Sequence, residues 1–265
     1  MLLINGENLD LTHFPDGSLL MKLAAYGESL EIQWLYENDS ELFAIICATK
    51  HLRRINSDIS ISLILPYIPH SRMDRVYNDC DVFTLKYFAD TINSLGFTKV
   101  TVLDPHSDVS MALIDNIHVL SPLQYIEQAL QSIQIIERES PILYYPDSNA
   151  AKKYGKIIAK PFCYGNKKRN WENGEILGLD IIDNSINIAN HNILMIDDII
   201  SYGGSMYYSA LTLKDLGAKN IYAFASHVEN SILKGKLIQS NLIKKVYTTN
   251  SLFKGSHDLI HVINI

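Results

Sequence analysis

Cysteine is scarce in this chain of 265 residues. Cys47, Cys80 and Cys163 are widely spaced and in no metal-ligand pattern, which argues against a disulfide scaffold or a thiolate metal site and implies a reducing compartment. Long apolar runs are missing as well. No stretch approaches the ~18 residues that a membrane span requires, and Met1-Leu2-Leu3-Ile4-Asn5-Gly6 lacks the basic region and apolar run of a signal peptide. Nor is there an excess of positive charge. With 23 Lys and Arg against 29 Asp and Glu, the net charge of -6 speaks against nucleic acid as the main partner. The basic residues form short local groups, which suit small phosphorylated molecules. These absences predict a cytoplasmic protein with no membrane partner. What is plentiful is apolar: 47% of the residues are hydrophobic, enough for one large domain or two modest ones with real cores.

The most informative stretch runs from Ile193 to Ser205. Ile193-Leu194-Met195-Ile196 reads as a buried parallel strand with Asp197 and Asp198 at its carboxyl end, and Ser201-Tyr202-Gly203-Gly204-Ser205 leads into the apolar-periodic segment Tyr207–Leu216. Ligands of open α/β sheets bind at the carboxyl ends of strands. The glycines let backbone N–H groups converge, and the following helix offers its positive end, so the turn can cradle an anion. Two carboxylates beside it would repel bare phosphate; they suit a ribose diol or a bridging Mg2+. An ordinary helix-capping turn is the alternative.

Upstream, Phe14-Pro15-Asp16-Gly17 predicts a hairpin turn. Glu37–Ile55 predicts an amphipathic helix, Ser60–Leu65 a strand, Phe83–Leu95 a helix capped by Gly96, and Lys99–Leu103 a strand delivering Asp104-Pro105-His106. Pro66 to Arg75 holds two prolines, Arg72, Asp74 and Arg75. Arginines fixed by prolines at a strand end make forks for phosphate, unless the loop is a plain surface turn. Leu95–His106 and Leu216–His227 share one rhythm: Leu-Gly ends a helix, a strand follows, and His comes ten positions after Gly. This repeat predicts two similar α/β domains, 1–140 and 141–265. In the second, Pro141–Tyr145 reads as a strand, Ala150–Ala159 as a helix, and a strand opens at Pro161 or just after it, at Phe162. Lys167-Lys168-Arg169 then forms a cationic run on a loop, either a solvated face or a flap over a transferring phosphoryl group.

The Asp197-to-Ser205 segment resembles the phosphoribosyl pyrophosphate (PRPP) motif, two acidic residues followed after three positions by Thr-Gly-Gly-Thr. Taken with the other segments in order, nearly the whole chain resembles the ribose-phosphate pyrophosphokinase (PRPP synthetase) family, as a divergent short member. The resemblance implies an α/β fold of two tandem phosphoribosyltransferase-like domains, each a mainly parallel sheet flanked by helices. It implies transfer of diphosphate from Mg-ATP to the anomeric hydroxyl of ribose 5-phosphate, with release of AMP. Phe14 and Asp16 match the family turn that reaches ATP, with Ser18 where the family has Glu. Pro66, Tyr67, Arg72, Asp74 and Arg75 match its second ATP segment, with Met73 in place of Gln. His106 and Asp147 match its metal-site residues for Mg2+. Lys167 and Arg169 match its catalytic cations. Asp197, Asp198, Ser201, Tyr202, Gly203, Gly204 and Ser205 match its ribose-phosphate loop.

The departures cluster in that loop. Ser201 replaces a third acidic residue, Tyr202 a threonine and Ser205 a threonine. A loop so changed is expected to suit either ribose 5-phosphate or a 5'-extended acceptor such as ADP-ribose, which would place the chain in NAD-related salvage. A PRPP-using phosphoribosyltransferase and a non-catalytic regulatory homologue are the competing readings. The family assembles as dimers that build hexamers; for this shorter chain a homodimer is expected.

Overall fold

In the computed structural model, residues 1–24, 27–169, 176–182 and 186–265 are described, those at 167–169, 176–180 and 182 as backbone only. They divide into two compact units, Met1–Ser121 and Pro122–Ile265. The sequence repeat placed the division near 140. The contact boundary falls earlier because the helix Leu123–Glu137 packs against strands of the second unit.

The first unit contains β1 (Leu2–Ile4), β2 (Glu7–Asn8), β3 (Thr12–His13), β4 (Leu19–Leu20), β5 (Ser29–Trp34), α1 (Ser40–Ile55), β6 (Ser60–Ile64), α2 (Thr84–Ser94), β7 (Lys99–Leu103), α3 (Asp108–Leu113) and β8 (Ile117–Leu120). Its main sheet has the order β2-β1-β5-β6-β7-β8, parallel from β5 to β8. The core joins alternate residues of the strands, such as Ile61 and Leu63, to helix residues such as Ile45, Leu52, Phe88 and Ile92. Gly96 closes α2 with φ +60, and the Arg53 guanidinium, donating to the carbonyls of Leu95 and Gly96, lies 3.1 Å from where a Cβ at Gly96 would stand. Glycine answers both demands at once. β3 and β4 form a separate ribbon whose turn is Phe14–Gly17, as the Pro-Asp-Gly sequence predicts.

The second unit contains α4 (Leu123–Glu137), β9 (Ile142–Tyr145), α5 (Ser148–Tyr154), β10 (Phe162–Arg169), β11 (Ile176–Ile182), β12 (Ile193–Ile200), α6 (Gly204–Asp215), β13 (Ile221–Val228), a 3-10 turn Asn230–Lys234, α7 (Lys236–Gln239), β14 (Lys245–Thr249) and β15 (Ile260–Ile263). Its sheet runs β11-β10-β9-β12-β13-β14-β15, with only the β10–β11 pair antiparallel among the described strands. The fold is therefore α/β, two mainly parallel sheets flanked by helices. Every residue of β13 is buried and β12 nearly so, which is why Ile193–Ile196 and Ile221–Ala225 read as apolar runs. α6 turns Met206, Ser209, Ala210 and Leu213 inward, the spacing of one helical face. Inside that face the Tyr144 hydroxyl donates to Ser209 Oγ at 3.1 Å, tying α6 to β9. Among the described residues no helix is long and apolar enough to cross a membrane.

Candidate functional site

β12 is longer than its apolar core suggests. The ladder to β13 continues through Ile199↔His227 and Ile200↔Val228, so Asp197 and Asp198 lie inside the strand's last half. Successive strand residues face opposite sides. Asp198 takes the buried side, 7% exposed, where Lys153 Nζ of α5 stands 3.5 Å from its Oδ2. Asp197 is half-buried, and its Oδ1 accepts the Asp198 N–H at 3.0 Å. A buried carboxylate is costly without a partner, and Lys153 is that partner. Nothing in the sequence pattern singled out Lys153; its place one helix after β9 becomes meaningful only once β9 lies beside β12.

The loop that follows is held from behind. Gly203 caps α6 at φ +78, a left-handed conformation that side chains resist, and a Cβ there would stand 3.0 Å from Leu237 Cβ. Gly235 is tighter still, because a Cβ on it would sit 1.9 Å from the Tyr202 carbonyl oxygen. The loop backbone is thus seated on the segment 235–237, which turns the Tyr202 side chain outward, 59% exposed. The first-turn N–H groups of the twelve-residue α6 have no carbonyl in the helix to bond, and Gly204 at this end is exposed. Ser201 Oγ donates to Glu229 Oε2 at 2.7 Å, and Ser231 Oγ donates to the same oxygen at 3.0 Å. Glu229 and Ser231 were also missed in the sequence. Their place follows from the strand register, since Glu229 follows the β13 residue that pairs with the last residue of β12.

Asp147 is the N-cap of α5, accepting from the N–H groups of Asn149 and Ala150 at 3.1 Å each. Lys167 and Arg169 lie in β10, paired with β11 at Leu179 and Ile176. The cationic run was expected on a loop; an antiparallel partner instead satisfies its backbone, with a register shift between Lys168 and Arg169. The side chains of Lys167 and Arg169 lie outside the described residues, as do 171–174.

The first unit holds its own cluster. Asp74, 7% exposed, accepts from Arg75 Nε at 2.7 Å and Nη2 at 3.1 Å, and from the Ser107 side chain. The Arg75 hydrogen bond is the main reason its carboxyl stays below the usual range, against the opposing effect of burial; nearby His106 adds to the lowering. Arg72 and His106 are exposed beside it. In the β3–β4 turn, Asp16 accepts from the Ser18 N–H and hydroxyl at 2.9 and 2.7 Å, and Phe14 is exposed. His106 and His227 hold the same place in the sequence repeat but differ in fate. β7 stops at Leu103, whereas β13 runs on to Val228 and buries His227, whose Nδ1 bonds Ser251 Oγ at 2.8 Å.

An acidic strand end, a glycine loop on a helix start and an Arg-Asp cluster in the other unit bear on one comparison. A ribose-phosphate pyrophosphokinase of Saccharolobus solfataricus is 24% identical over 260 residues, covering 94% of this chain and 86% of that protein. The chain is a divergent relative of the ribose-phosphate pyrophosphokinases. Another ribose-phosphate pyrophosphokinase, from Staphylococcus haemolyticus, is 29% identical over 217 residues, 80% of this chain and 65% of its own length. Ribose-phosphate pyrophosphokinases are diphosphotransferases. The crystal structure of phosphoribosylpyrophosphate synthetase from Mycobacterium smegmatis superposes with a TM-score of 0.77 at 17% identity, over 97% of this chain and 86% of that one, which establishes the shared fold. No family model matches the chain.

Proposed function

We propose that this chain transfers the β,γ-diphosphoryl group of Mg-ATP to the anomeric hydroxyl of a ribose that carries a 5-phosphate. The observation that carries the reading is the β12–loop–α6 unit: half-buried Asp197, Lys153-paired Asp198 and the Ser201–Ser205 turn at a helix start. In the reaction the anomeric oxygen bonds to the β-phosphorus, the bond from that phosphorus to the oxygen bridging to the α-phosphorus breaks, AMP departs, and the hydroxyl proton is released. Little covalent chemistry is asked of the protein, whose task is alignment and charge neutralisation. In this reading Asp197 accepts from a ribose hydroxyl. The turn's N–H groups grip the 5-phosphate. Lys167 and Arg169 stabilise the migrating charge, and Arg72, Asp74, Arg75, Phe14 and Asp16 hold the nucleotide.

Mg2+ fits the donor set, because carboxylate oxygens with substrate phosphates are what this hard cation prefers. Within the second unit Asp197 or Asp147 would hold it; His106, in the first unit, matches a further metal position of the family. When bound it supplies charge neutralisation on the phosphates. Asp198 shares its charge with Lys153, whose Nζ is 3.5 Å away.

The outward Tyr202 favours a 5'-extended acceptor such as ADP-ribose, since an exposed ring at the mouth of a phosphate turn is a stacking surface for whatever continues beyond the phosphate. On that basis we propose a role in NAD-related salvage; composition and the family resemblance, not this loop, support a cytoplasmic homodimer or higher homo-oligomer. The deciding measurement is AMP release from ATP with ribose 5-phosphate, ADP-ribose or neither. Release that depends on an acceptor is expected; its absence with every acceptor ends the proposal, and a strict preference for ribose 5-phosphate ends the extended-acceptor part.

A further inference from the structure

At position 201 this chain has a hydroxyl where the matched motif has a carboxylate, yet a carboxylate stands 2.7 Å from that hydroxyl. Its origin is the sheet register. Ile200 pairs with Val228, and the Glu229 N–H donates to the Ile200 carbonyl at 2.8 Å, so residues 201 and 229 leave two adjacent parallel strands side by side. Ser231 completes the group, its Oγ 3.2 Å from Ser201 Oγ and 3.0 Å from Glu229 Oε2. We propose that Glu229 supplies from the neighbouring strand the negative charge that residue 201 does not carry, and that it is a positioning residue of the acceptor loop, acting through Ser201.

The chemistry follows from donor counting. A serine hydroxyl has one proton and two lone pairs. By donating its proton to Glu229, Ser201 turns lone pairs toward the loop mouth, and the charge behind it strengthens them as acceptors. A carboxylate would weaken the binding of phosphate, so the part of the acceptor that Glu229 serves is a hydroxyl of the sugar. The same bond also pins the pivot where β12 becomes the loop. Ser201 and Glu229 together thus reproduce, from two strands, one acidic acceptor at the strand end.

This inference rests on the reading of the loop as an acceptor site, and the experiment separates the two. Wild type, Glu229→Ala, Glu229→Gln and the double variant Glu229→Ala with Ser201→Asp are compared for AMP release and, by calorimetry, for binding of ribose 5-phosphate and of ADP-ribose. For the acceptor that wild type prefers, Glu229→Ala should raise KM about tenfold, the size of a lost charge-assisted hydrogen bond, with KM for ATP unchanged. Glu229→Gln, which keeps an oxygen acceptor without the charge, should fall between. Returning the carboxylate to position 201 should bring KM back to within about threefold of wild type. A purely structural Glu229 would not be rescued in this way. An unchanged KM in Glu229→Ala overturns the inference. So does a double variant that melts like wild type yet binds as weakly as Glu229→Ala. If binding follows the expected order but no protein releases AMP, the inference stands and the diphosphokinase reading falls. Should neither acceptor bind wild type, both fall.

Discussion

At the scale of single residues, partners decide what each charge does. Lys153 pairs with one of the two adjacent carboxylates, so the pair is unequal: Asp198 is buried beside Lys153, whereas Asp197 is half-buried and accepts the Asp198 N–H. Lys167 carries the sharpest test of the proposed chemistry, because a cation placed on developing phosphoryl charge acts chiefly in the transition state. Lys167→Ala should lower the turnover number for AMP release by about 10²–10³-fold with small changes in KM. Near wild-type turnover in that variant would withdraw its catalytic role. Asp74 carries a separate prediction about acid stability. Its folded-state pKa is held below the ordinary carboxylate value, chiefly by the hydrogen bond from Arg75. The stabilisation it brings is therefore complete above about pH 4 and is lost as pH falls through the lowered folded value. Denaturant midpoints measured from pH 6 down to pH 2 should fall more steeply for wild type than for Asp74→Asn. Added salt should narrow the gap, since the Arg75 side chain is exposed.

At the scale of elements, the loop is a product of what lies beneath it. The Gly-Gly pair in the sequence pointed to a turn, but the closest packing is at Gly235, well downstream, where no motif draws attention. Its backbone lies against the Tyr202 carbonyl, and any Cβ there would overlap it. Gly235→Ala should raise the acceptor KM and cost about 1–3 kcal/mol of stability, as overpacking against backbone does. Calorimetry beside Gly27→Ala, where a Cβ would meet nothing within 4 Å, provides the control. A Gly235→Ala protein as stable as wild type would mean that the loop does not need its support. The elements themselves were largely legible. Lys99–Leu103 was read with both ends correct, because its β-branched run leaves little choice, and the strand after Pro161 starts at Phe162, one of the two starts that a proline without an N–H allows. The cationic run was not, since three consecutive charges give no strand period; only its pairing with the next strand, β11, shows that it is extended.

For the molecule as a whole, two cores matter more than any single site. Trp34, Ile61, Leu63 and Phe88 belong to one core, and Tyr144, Met195, Ala223 and Val246 to the other. Each unit buries its own apolar surface, so scanning calorimetry should resolve two transitions or a calorimetric enthalpy that exceeds the van't Hoff value. A saturating acceptor should raise the transition of Pro122–Ile265, by about 2.7 kcal/mol of stability at a hundredfold excess over Kd, and leave that of Met1–Ser121 in place. A shift confined to the first unit would contradict the assignment of the acceptor to the second. By itself, the sequence determined the α/β class, the doubled plan and the strand–loop–helix at Ile193–Asp215, because periodicity, glycine and strand-end carboxylates are local signals that folding preserves. Only the tertiary structure decided where the domain contacts divide, that Lys153 faces Asp198 and that Glu229 stands behind Ser201. Those depend on which strands lie side by side, and strand neighbours are chosen by burial over the whole sheet, which no window of sequence contains.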